Sequence, residues 1–308
     1  MFRFLVRRVL QMILTFFGAT FIVYALMFAN QDDPIQALVG ERPVTPAQRT
    51  ALTELYHLDE PFLKQYWYYM QGLLTGDFGR SLTGRQVGDM MADAWPTTAR
   101  LALMSIVIAA TVAVIAGVIS GIRRGGAFDN VTLVVTLVLL ALPIVVLAPL
   151  SQLAFGIKLG WFPPTAGRNA TTYALLLPAI VLATTAVATE LRVTRASVAE
   201  NLRSDYVRTA RAKGLSNRRV IGVHVLRNSL IPVITLIGVD IGLLMSGAIV
   251  TEGVFNIPGV GFNLLRGIRT EDGPLVVGFV SILTIVCLVV NLIVDLMYAA
   301  LDPRIRYE

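Results

Sequence analysis

Residues 101–122 read Leu101-Ala-Leu-Met-Ser-Ile-Val-Ile-Ala-Ala-Thr-Val-Ala-Val-Ile-Ala-Gly-Val-Ile-Ser-Gly-Ile122 and include no charged side chain. About 20 apolar residues in a helix are enough to cross the hydrocarbon core of a bilayer. The whole chain agrees with this pattern, because it is 55% hydrophobic and only 15% charged, whereas soluble domains carry about 25% charged residues. The sequence therefore predicts an all-α integral membrane protein.

Six apolar segments of this kind predict six transmembrane helices in a single transmembrane domain that spans residues 1–308. We place them near 9–29, 101–122, 131–153, 173–189, 229–251 and 275–300. Between the first two lies a long segment, 30–98, and between the fourth and fifth lies a basic loop, 190–228. Pro143 is expected to kink or end a helix, since proline removes a backbone donor.

The distribution of lysine and arginine predicts the orientation of the chain. Arg3, Arg7 and Arg8 precede the first apolar run, which is too long for a cleaved signal peptide and predicts a retained signal anchor. With the N-terminus inside, sixteen of the 26 basic residues fall on the cytoplasmic side, and the opposite orientation would place those sixteen outside. Both termini are therefore expected in the cytoplasm, and segment 30–98 outside.

The outer segment contains two predicted short helices. Thr45 and Pro46 suit an N-cap and a first helical residue. The second helix, 61–74, carries Tyr66, Trp67, Tyr68 and Tyr69. Aromatic rings of this type are enriched at the membrane–water interface. Anchoring at the membrane interface and binding of a partner both explain these aromatic residues, and the sequence does not distinguish between the two.

Residue counts exclude several kinds of chemistry within the chain. Cys287 is the one cysteine, so no intrachain disulfide forms, and His57 and His224 lack the spacing of metal ligands. None of the three lysines belongs to a G-x-x-x-x-G-K-[ST] phosphate loop. Basic residues are concentrated in a few places, which argues against a nucleic-acid surface. No cofactor site is predicted, and any ATP must be bound by another protein.

The basic loop contains Asp205-Tyr-Val-Arg-Thr-Ala-Arg-Ala-Lys-Gly214. Nine lysines and arginines stand in 190–228 against Glu190, Glu200 and Asp205. Ser204 and Asp205 can cap a helix start, Gly214 can end it in a left-handed conformation, and a second helix is predicted from Ser216 through Asn228. Charge alone is also explained by topology and lipid headgroups. The order of the residues in this loop indicates a specific function in addition to topology.

The run Asp205-Tyr-Val-Arg-Thr-Ala-Arg-Ala-Lys-Gly-Leu215, continued by His224-Val-Leu-Arg-Asn-Ser-Leu-Ile-Pro-Val233, resembles the "EAA" loop of ABC-transporter permease subunits. It is most similar to the peptide branch of binding-protein-dependent importers, and to the first of their two unlike permeases. The resemblance extends to Asp129 and to three further segments, Gly76-Asp-Phe-Gly-Arg-Ser-Leu82, Val254-Phe-Asn-Ile-Pro-Gly-Val-Gly261 and Asp295-Leu-Met-Tyr-Ala-Ala-Leu-Asp-Pro-Arg-Ile-Arg306.

This resemblance implies the transmembrane domain of a type I ABC importer in the cytoplasmic membrane of a prokaryote. The implied partners are a second permease, two ATPase subunits that bind ATP and Mg, an extracytoplasmic substrate-binding protein and membrane lipid. The 190–228 loop would supply the coupling helix, received by a groove on an ATPase subunit. The implied coupling residues are Asp205, Arg208, Ala210, Arg211, Ala212, Lys213 and Gly214. Arg208 departs from the general motif, which has glutamate there.

Polar residues inside apolar segments are candidates for the translocation path, because they are costly in lipid. Asp240 lies halfway along the fifth segment, where the family tends to have an uncharged amide. It either favours cationic or amino groups in the path or pairs with an arginine. Asn291 and Asp295 share one helical face, with a structural role expected for Asp295. Glu252 is expected to contact the binding protein or to line an outer gate.

Two other classes of function compete with the transport subunit. An intramembrane enzyme would need paired catalytic groups, and Asp240 and Asp295 lie at different depths. An autonomous channel or secondary transporter is disfavoured by the absence of an internal repeat. The resemblance favours peptides as cargo, while related permeases serve haem, nickel chelates or oligosaccharides.

Overall fold

The computed structural model describes residues 2–28, 35, 44–245 and 248–301, and these residues are mainly helical. The helices are α1 (Phe2–Phe28), α2 (Pro46–Tyr56), α3 (Phe62–Leu74), α4 (Val87–Ile122), α5 (Ala127–Ala141), α6 (Ile144–Ser151), α7 (Thr172–Asn201), α8 (Asp205–Ala212), α9 (Asn217–Arg219), α10 (Leu226–Ser229), α11 (Ile231–Met245), α12 (Ile249–Val254), α13 (Val260–Arg269) and α14 (Gly273–Leu301). Two π-helical stretches, Gln152–Lys158 and Val220–Val225, follow α6 and α9.

Within the described residues, four helices are long and apolar enough to cross a membrane by themselves. They are Val6–Phe28 within α1, the whole of α4 and α7, and Gly273–Ile293 within α14. Two bent pairs raise the number of possible spans to six, and they are Ala127–Ala141 with Ile144–Lys158, and Asn217–Ser229 with Ile231–Ile241. The predicted all-α membrane class is therefore confirmed for the described residues.

The predicted third span, 131–153, is not one straight helix. It is divided between α5 and the segment Ile144–Lys158, which comprises α6 and the following π-helical stretch, with a bend of 103° between the two. Leu142 is extended and Pro143 forms the N-cap of α6. The residue before a proline is disfavoured in the helical region of backbone conformation. The helix is therefore interrupted at Pro143, as the sequence predicts, and the change of direction there is larger than a kink.

Two further predicted boundaries differ from the structure. The helix α7, which contains the predicted fourth span, continues beyond residue 189 to Asn201, so residues 190–201 of the predicted loop are helical. The fifth, 229–251, is divided between α11 and α12, and residues 246–247 lie outside the described part of the chain. Charged residues set the predicted limit at 189, but a helix can continue past the point where its sequence becomes charged.

Segment 30–98 contains the two predicted helices and the start of a third. Thr45 caps α2 by accepting a hydrogen bond from the backbone N–H of Gln48 at 3.3 Å, while Gln48 Oε1 accepts one from the Thr45 N–H at 2.9 Å. This reciprocal pair is a capping box. Because α4 begins at Val87, residues 87–98 are helical and continuous with the next apolar run. Residues 30–34 and 36–43 of this segment lie outside the described residues.

The chain divides into two compact units, Met1–Thr98 with Pro258–Glu308, and Ala99–Ile257. In the first unit the aromatic helix α3 packs against α1 and α14. Tyr66 lies 2.9 Å from the Thr20 hydroxyl, and Tyr69 lies 2.8 Å from the Ser281 hydroxyl. Burial raises the pKa of Tyr69 well above its usual range, so its hydroxyl remains neutral. These two tyrosines therefore hold the unit together, whereas Trp67 is exposed.

The segment Gly76–Leu82 of the same unit is fixed by Asp272. The Asp272 carboxylate accepts hydrogen bonds from Ser81 Oγ at 2.5 Å and from the Leu82 N–H at 3.0 Å, and its other oxygen accepts from the Leu275 N–H. A Cβ on Gly278 would lie 2.5 Å from the Phe78 carbonyl oxygen. The family-like segment is therefore a close-packed turn against the start of α14.

In the second unit, α4 packs directly against α7 through two glycines. A Cβ on Gly117 would lie 2.6 Å from the Thr194 Cβ, and one on Gly121 would lie 2.8 Å from the Val198 Cβ. The spacing is that of a G-x-x-x-G motif, which lets helices approach closely in a membrane. The signal is visible in the sequence, and our sequence analysis did not use it.

Candidate functional site

The helix α8 begins and ends where the sequence predicts. Ser204 is extended and its hydroxyl donates a hydrogen bond to the Asn201 carbonyl at 2.6 Å. Gly214 has a φ of 72°, its N–H donates to the Arg211 carbonyl at 2.9 Å, and the Leu215 N–H donates to the Ala210 carbonyl at 3.3 Å. These two bonds form a Schellman motif, which closes the C-terminus of the helix. The loop is therefore a defined turn.

One face of α8 is buried in a small apolar cluster of its own. Val207 and Ala210 are buried together with Val198, Val220 and Val225, which come from α7 and the π-helical stretch. Residues three apart lie on one side of a helix, so Val207 and Ala210 point inward together. We call this loop, 202–228, the knob.

The opposite face of α8 is open to solvent and carries most of the predicted coupling residues. The exposed members are Asp205, Arg208, Arg211, Ala212, Lys213 and Gly214. Asp205 and Arg208 form an exposed ion pair with 3.4 Å between Oδ1 and Nη1. Ala210 is only 5% exposed and belongs to the cluster beneath the helix, and its part in coupling remains a prediction. Ala212 alone offers a small side chain on the outer face.

Asn201 at the end of α7 links that helix to α8 and α10, and sequence reasoning did not find this contact. Its Nδ2 donates to the Ser229 hydroxyl at 3.1 Å, and its Oδ1 accepts a hydrogen bond from the Tyr206 hydroxyl. The three residues come from the end of α7, from α8 and from the end of α10. A buried serine and a helix-terminal asparagine give no pattern in a single sequence that would reveal this contact.

A second polar contact joins α5 to α7. The Asp129 carboxylate is buried and accepts hydrogen bonds from Arg195 Nε, from Arg195 Nη2 at 2.7 Å, from Ser120 Oγ and from the Gly125 N–H at 2.8 Å. The bidentate arginine satisfies both oxygens of the carboxylate. Asp129, which the sequence placed among the family-like residues, is thus a structural centre of this unit.

Asp240 lies opposite the carboxyl group of Glu190, a residue that the sequence predicted to belong to the basic loop. Glu190 of α7 is only 1% exposed, and its carboxyl group interacts with that of half-buried Asp240 in α11. Glu190 Oε2 has no hydrogen-bond partner. Among the described residues the neighbour of Asp240 is thus a second acid, and a role of Asp240 in the path or in pairing with an arginine remains a prediction.

The remaining predicted path residues are dispersed. Glu252 is fully buried in α12, so in this conformation it offers no surface to a binding protein, and a gate residue remains a prediction. Asn291 is exposed on α14 and its Nδ2 lies 3.6 Å from Cys287 Sγ. Asp295 lies in α14, and its side chain is outside the described residues. In the described part of the chain, no group of three histidine, cysteine or acidic side chains is placed to hold a metal.

Comparison with known proteins identifies two matching families that together cover nearly the whole chain. Residues 113–307 match "Binding-protein-dependent transport system inner membrane component", and residues 1–102 match "Binding-prot-dependent transport system membrane comp, N-term".

Individual relatives align over 100% of this chain and 100% of their own length. The chain is 37% identical to the di/tripeptide transport system permease protein DppB of Pseudomonas aeruginosa (strain UCBPP-PA14). It is 34% identical to the glutathione transport system permease protein GsiC of Escherichia coli (strain K12), and 33% identical to the oligopeptide transport system permease protein OppB of Haemophilus influenzae.

Proposed function

Because the chain belongs to the family of binding-protein-dependent transport system inner membrane components, we propose that it is the permease subunit of an ATP-driven importer that carries peptides across the cytoplasmic membrane. It works with a second permease, two ATPase subunits that bind ATP and Mg, and an extracytoplasmic binding protein. The chain itself forms part of the path and hydrolyses nothing.

The observation that carries this proposal is the end-to-end similarity to permeases named for peptide cargo. Those names include di- and tripeptides, glutathione and oligopeptides, and each alignment covers both proteins completely. Glutathione is itself a peptide, so the named cargoes share one chemical class. This common class supports peptides over haem, nickel chelates or oligosaccharides.

We assign the contact with the ATPase to the exposed face of the knob. Arg208, Arg211 and Lys213 stand on one exposed helix whose other face is fixed by its own apolar cluster. A helix of eight residues is about 12 Å long, which suits a groove on a partner protein. Asn201 links α8 to α7 and α10. A displacement of α8 therefore moves α7 and α10, and through α10 it also moves α11, the next helix in the chain.

The same assignment implies an orientation of the chain in the membrane. The knob lies in the cytoplasm, together with both termini, and segment 30–98 faces the binding protein. This agrees with the excess of lysine and arginine on the cytoplasmic side.

A growth experiment tests the cargo and the coupling surface together. In an amino-acid auxotroph of the source organism, deletion of the chain's gene should abolish growth on the required amino acid supplied as a dipeptide, with normal growth on the free amino acid. The charge-reversed variant Arg211→Glu/Lys213→Glu should not restore growth on the dipeptide, because it reverses the charge of the docking face.

Arg168→Glu is the matched control. Arg168 is exposed in the loop between α6 and α7, which the proposed orientation places on the opposite side of the membrane. This variant should restore growth fully. Normal growth of the deletion strain on every dipeptide tested would exclude the proposed cargo, and restoration by Arg211→Glu/Lys213→Glu would exclude the proposed docking face.

A further inference from the structure

Two acidic side chains face each other between α7 and α11. Glu190 is almost completely buried, and Asp240, the residue it faces, is half-buried. Val239 and Ile241, the neighbours of Asp240, are exposed and apolar. The pair is therefore covered on the Glu190 side and can be reached from the Asp240 side.

The register of the two helices places the pair deep in the membrane. Asn201 and Ser229 are hydrogen-bonded at one end of the helix pair. Glu190 precedes Asn201 by eleven residues and Asp240 follows Ser229 by eleven residues. Eleven residues span about 16 Å of helix, roughly half of a hydrocarbon core that is about 30 Å thick. The two acids therefore lie at matching positions, eleven residues from the hydrogen-bonded end of the helix pair.

No positive charge of the described chain compensates the pair. Neither Glu190 nor Asp240 forms an ion pair with a described basic residue, and Glu190 Oε2 is buried without a hydrogen-bond partner. Arg192, two residues from Glu190, donates its Nε to the carbonyl of Ala188 on its own helix. Buried acidic groups are normally paired with cations or fully hydrogen-bonded. The site thus has spare acceptor capacity and lacks a cation.

We propose that Glu190 and Asp240 form a binding site for one primary ammonium group, the amino terminus of the peptide cargo, as it passes along the path. This inference rests on the proposed function and deepens it. An ammonium group has three donors and no acceptor, which matches two ionised carboxylates, and the proton through which the two carboxyl groups are hydrogen-bonded is released as the ammonium group binds. A single positive charge between them also removes the repulsion of two like charges in a medium of low dielectric constant. Every unblocked peptide supplies that group, whatever its side chains.

Two measurements test the site in the complete importer. The first is ATP-dependent uptake of alanyl-alanine into proteoliposomes, with loaded binding protein at saturating concentration. Glu190→Gln/Asp240→Asn should lower the maximal rate at least about tenfold, which corresponds to about 1.4 kcal/mol. Glu190→Asp/Asp240→Glu keeps two carboxyl groups and should retain most of the rate. Glu54→Gln, an equivalent change at an exposed site in α2, should leave the rate unchanged.

The second measurement observes binding without the binding protein. Infrared difference spectra of the importer in nanodiscs should show a change in carboxylate bands when alanyl-alanine amide is added. N-acetyl-alanyl-alanine amide, which lacks the ammonium group, should cause no such change. The alanyl-alanine amide signal should be lost in Glu190→Gln/Asp240→Asn.

The outcomes separate this inference from the proposed function. If the wild type transports no peptide, the proposed function fails, while the infrared spectra still report on the pair. If the wild type transports peptide but neutralisation of the pair changes neither uptake nor spectra, the ammonium site is wrong. If the neutralised variant no longer co-purifies with the second permease, the pair binds a cation of that subunit, and the inference is overturned as well.

Discussion

Arg195 of α7 holds the carboxylate of Asp129 in α5 with two parallel hydrogen bonds, from Nε to Oδ1 and from Nη2 to Oδ2. Ser120 at the end of α4 donates to the same carboxylate. Three helices are therefore joined through one buried side chain, close to the helix end that carries the knob. Removing one partner from a buried ion pair leaves the other charge uncompensated, which is much more costly than losing an exposed pair.

We predict that Asp129→Asn and Arg195→Gln each destabilise the purified chain by about 3 kcal/mol or more. The double variant should be less destabilised than the sum of the two, because neither charge is left alone. The free energy of unfolding in a denaturing-detergent titration checks this. Arg85→Gln is the control, since its pair with Asp93 is exposed and worth less than about 1 kcal/mol. Equal effects of Arg85→Gln and Arg195→Gln would contradict the prediction.

Close packing of α4 on α7 gives a second prediction. Gly117→Ala places a Cβ 2.6 Å from the Thr194 Cβ and 2.9 Å from the Leu191 carbonyl oxygen. The helices must move apart, and overpacking of this kind costs about 1–3 kcal/mol. The same titration measures it. Gly18→Ala in α1 is the matched control, because a Cβ there meets nothing within 4 Å, and it should be neutral or slightly stabilising. A neutral Gly117→Ala would show that the two helices are not in close contact.

The two alanines of α8 are expected to act differently. Ala210→Leu should destabilise the isolated chain, since Ala210 is packed beneath the helix. Ala212→Leu should leave the stability unchanged and weaken co-purification with the ATPase, because Ala212 lies on the exposed face. Melting temperature and co-purification are compared for both variants. Normal ATPase binding by Ala212→Leu would remove that side chain from the docking surface.

Gly214 gives a graded test of the turn that ends α8. Its φ of 72° is left-handed, and a Cβ there would meet nothing within 4 Å, so only backbone conformation decides the effect. A left-handed residue other than glycine costs about 1–2 kcal/mol, which lowers the population of the closed turn by a factor of about 5–30. ATP hydrolysis stimulated by loaded binding protein should therefore be highest in the wild type, lower in Gly214→Asn and lowest in Gly214→Val. Asparagine tolerates the left-handed conformation better than valine does. An equal loss for both variants would refute a conformational role.

The sequence predicted those parts of the structure that depend on local chemistry. Long apolar runs predict helices, proline predicts the break at Pro143, and glycine predicts the left-handed end of α8 at Gly214. Each of these outcomes is set by the residue itself and its immediate neighbours.

Contacts between distant segments were not predictable from one sequence. Glu190 was assigned to the loop because a charge usually marks the end of a span, yet α7 continues for eleven residues beyond it. Its neighbour Asp240 is 50 positions away, and the link between Asn201 and Ser229 depends on the register of two helices. The burial of Ala210 could have been predicted, because its spacing of three from the apolar Val207 places both residues on one face of the helix.

The most direct test of the central claim is uptake by the assembled importer. The chain, its second permease, the ATPase subunits and the binding protein are reconstituted in proteoliposomes, and uptake of radiolabelled alanyl-alanine is measured with ATP and Mg or with a non-hydrolysable ATP analogue. The account predicts accumulation against a gradient only with hydrolysable ATP, and it predicts that Arg211→Glu/Lys213→Glu loses both this accumulation and co-purification of the ATPase subunits. Equal uptake without hydrolysable ATP, or by liposomes that contain only this chain, would contradict it.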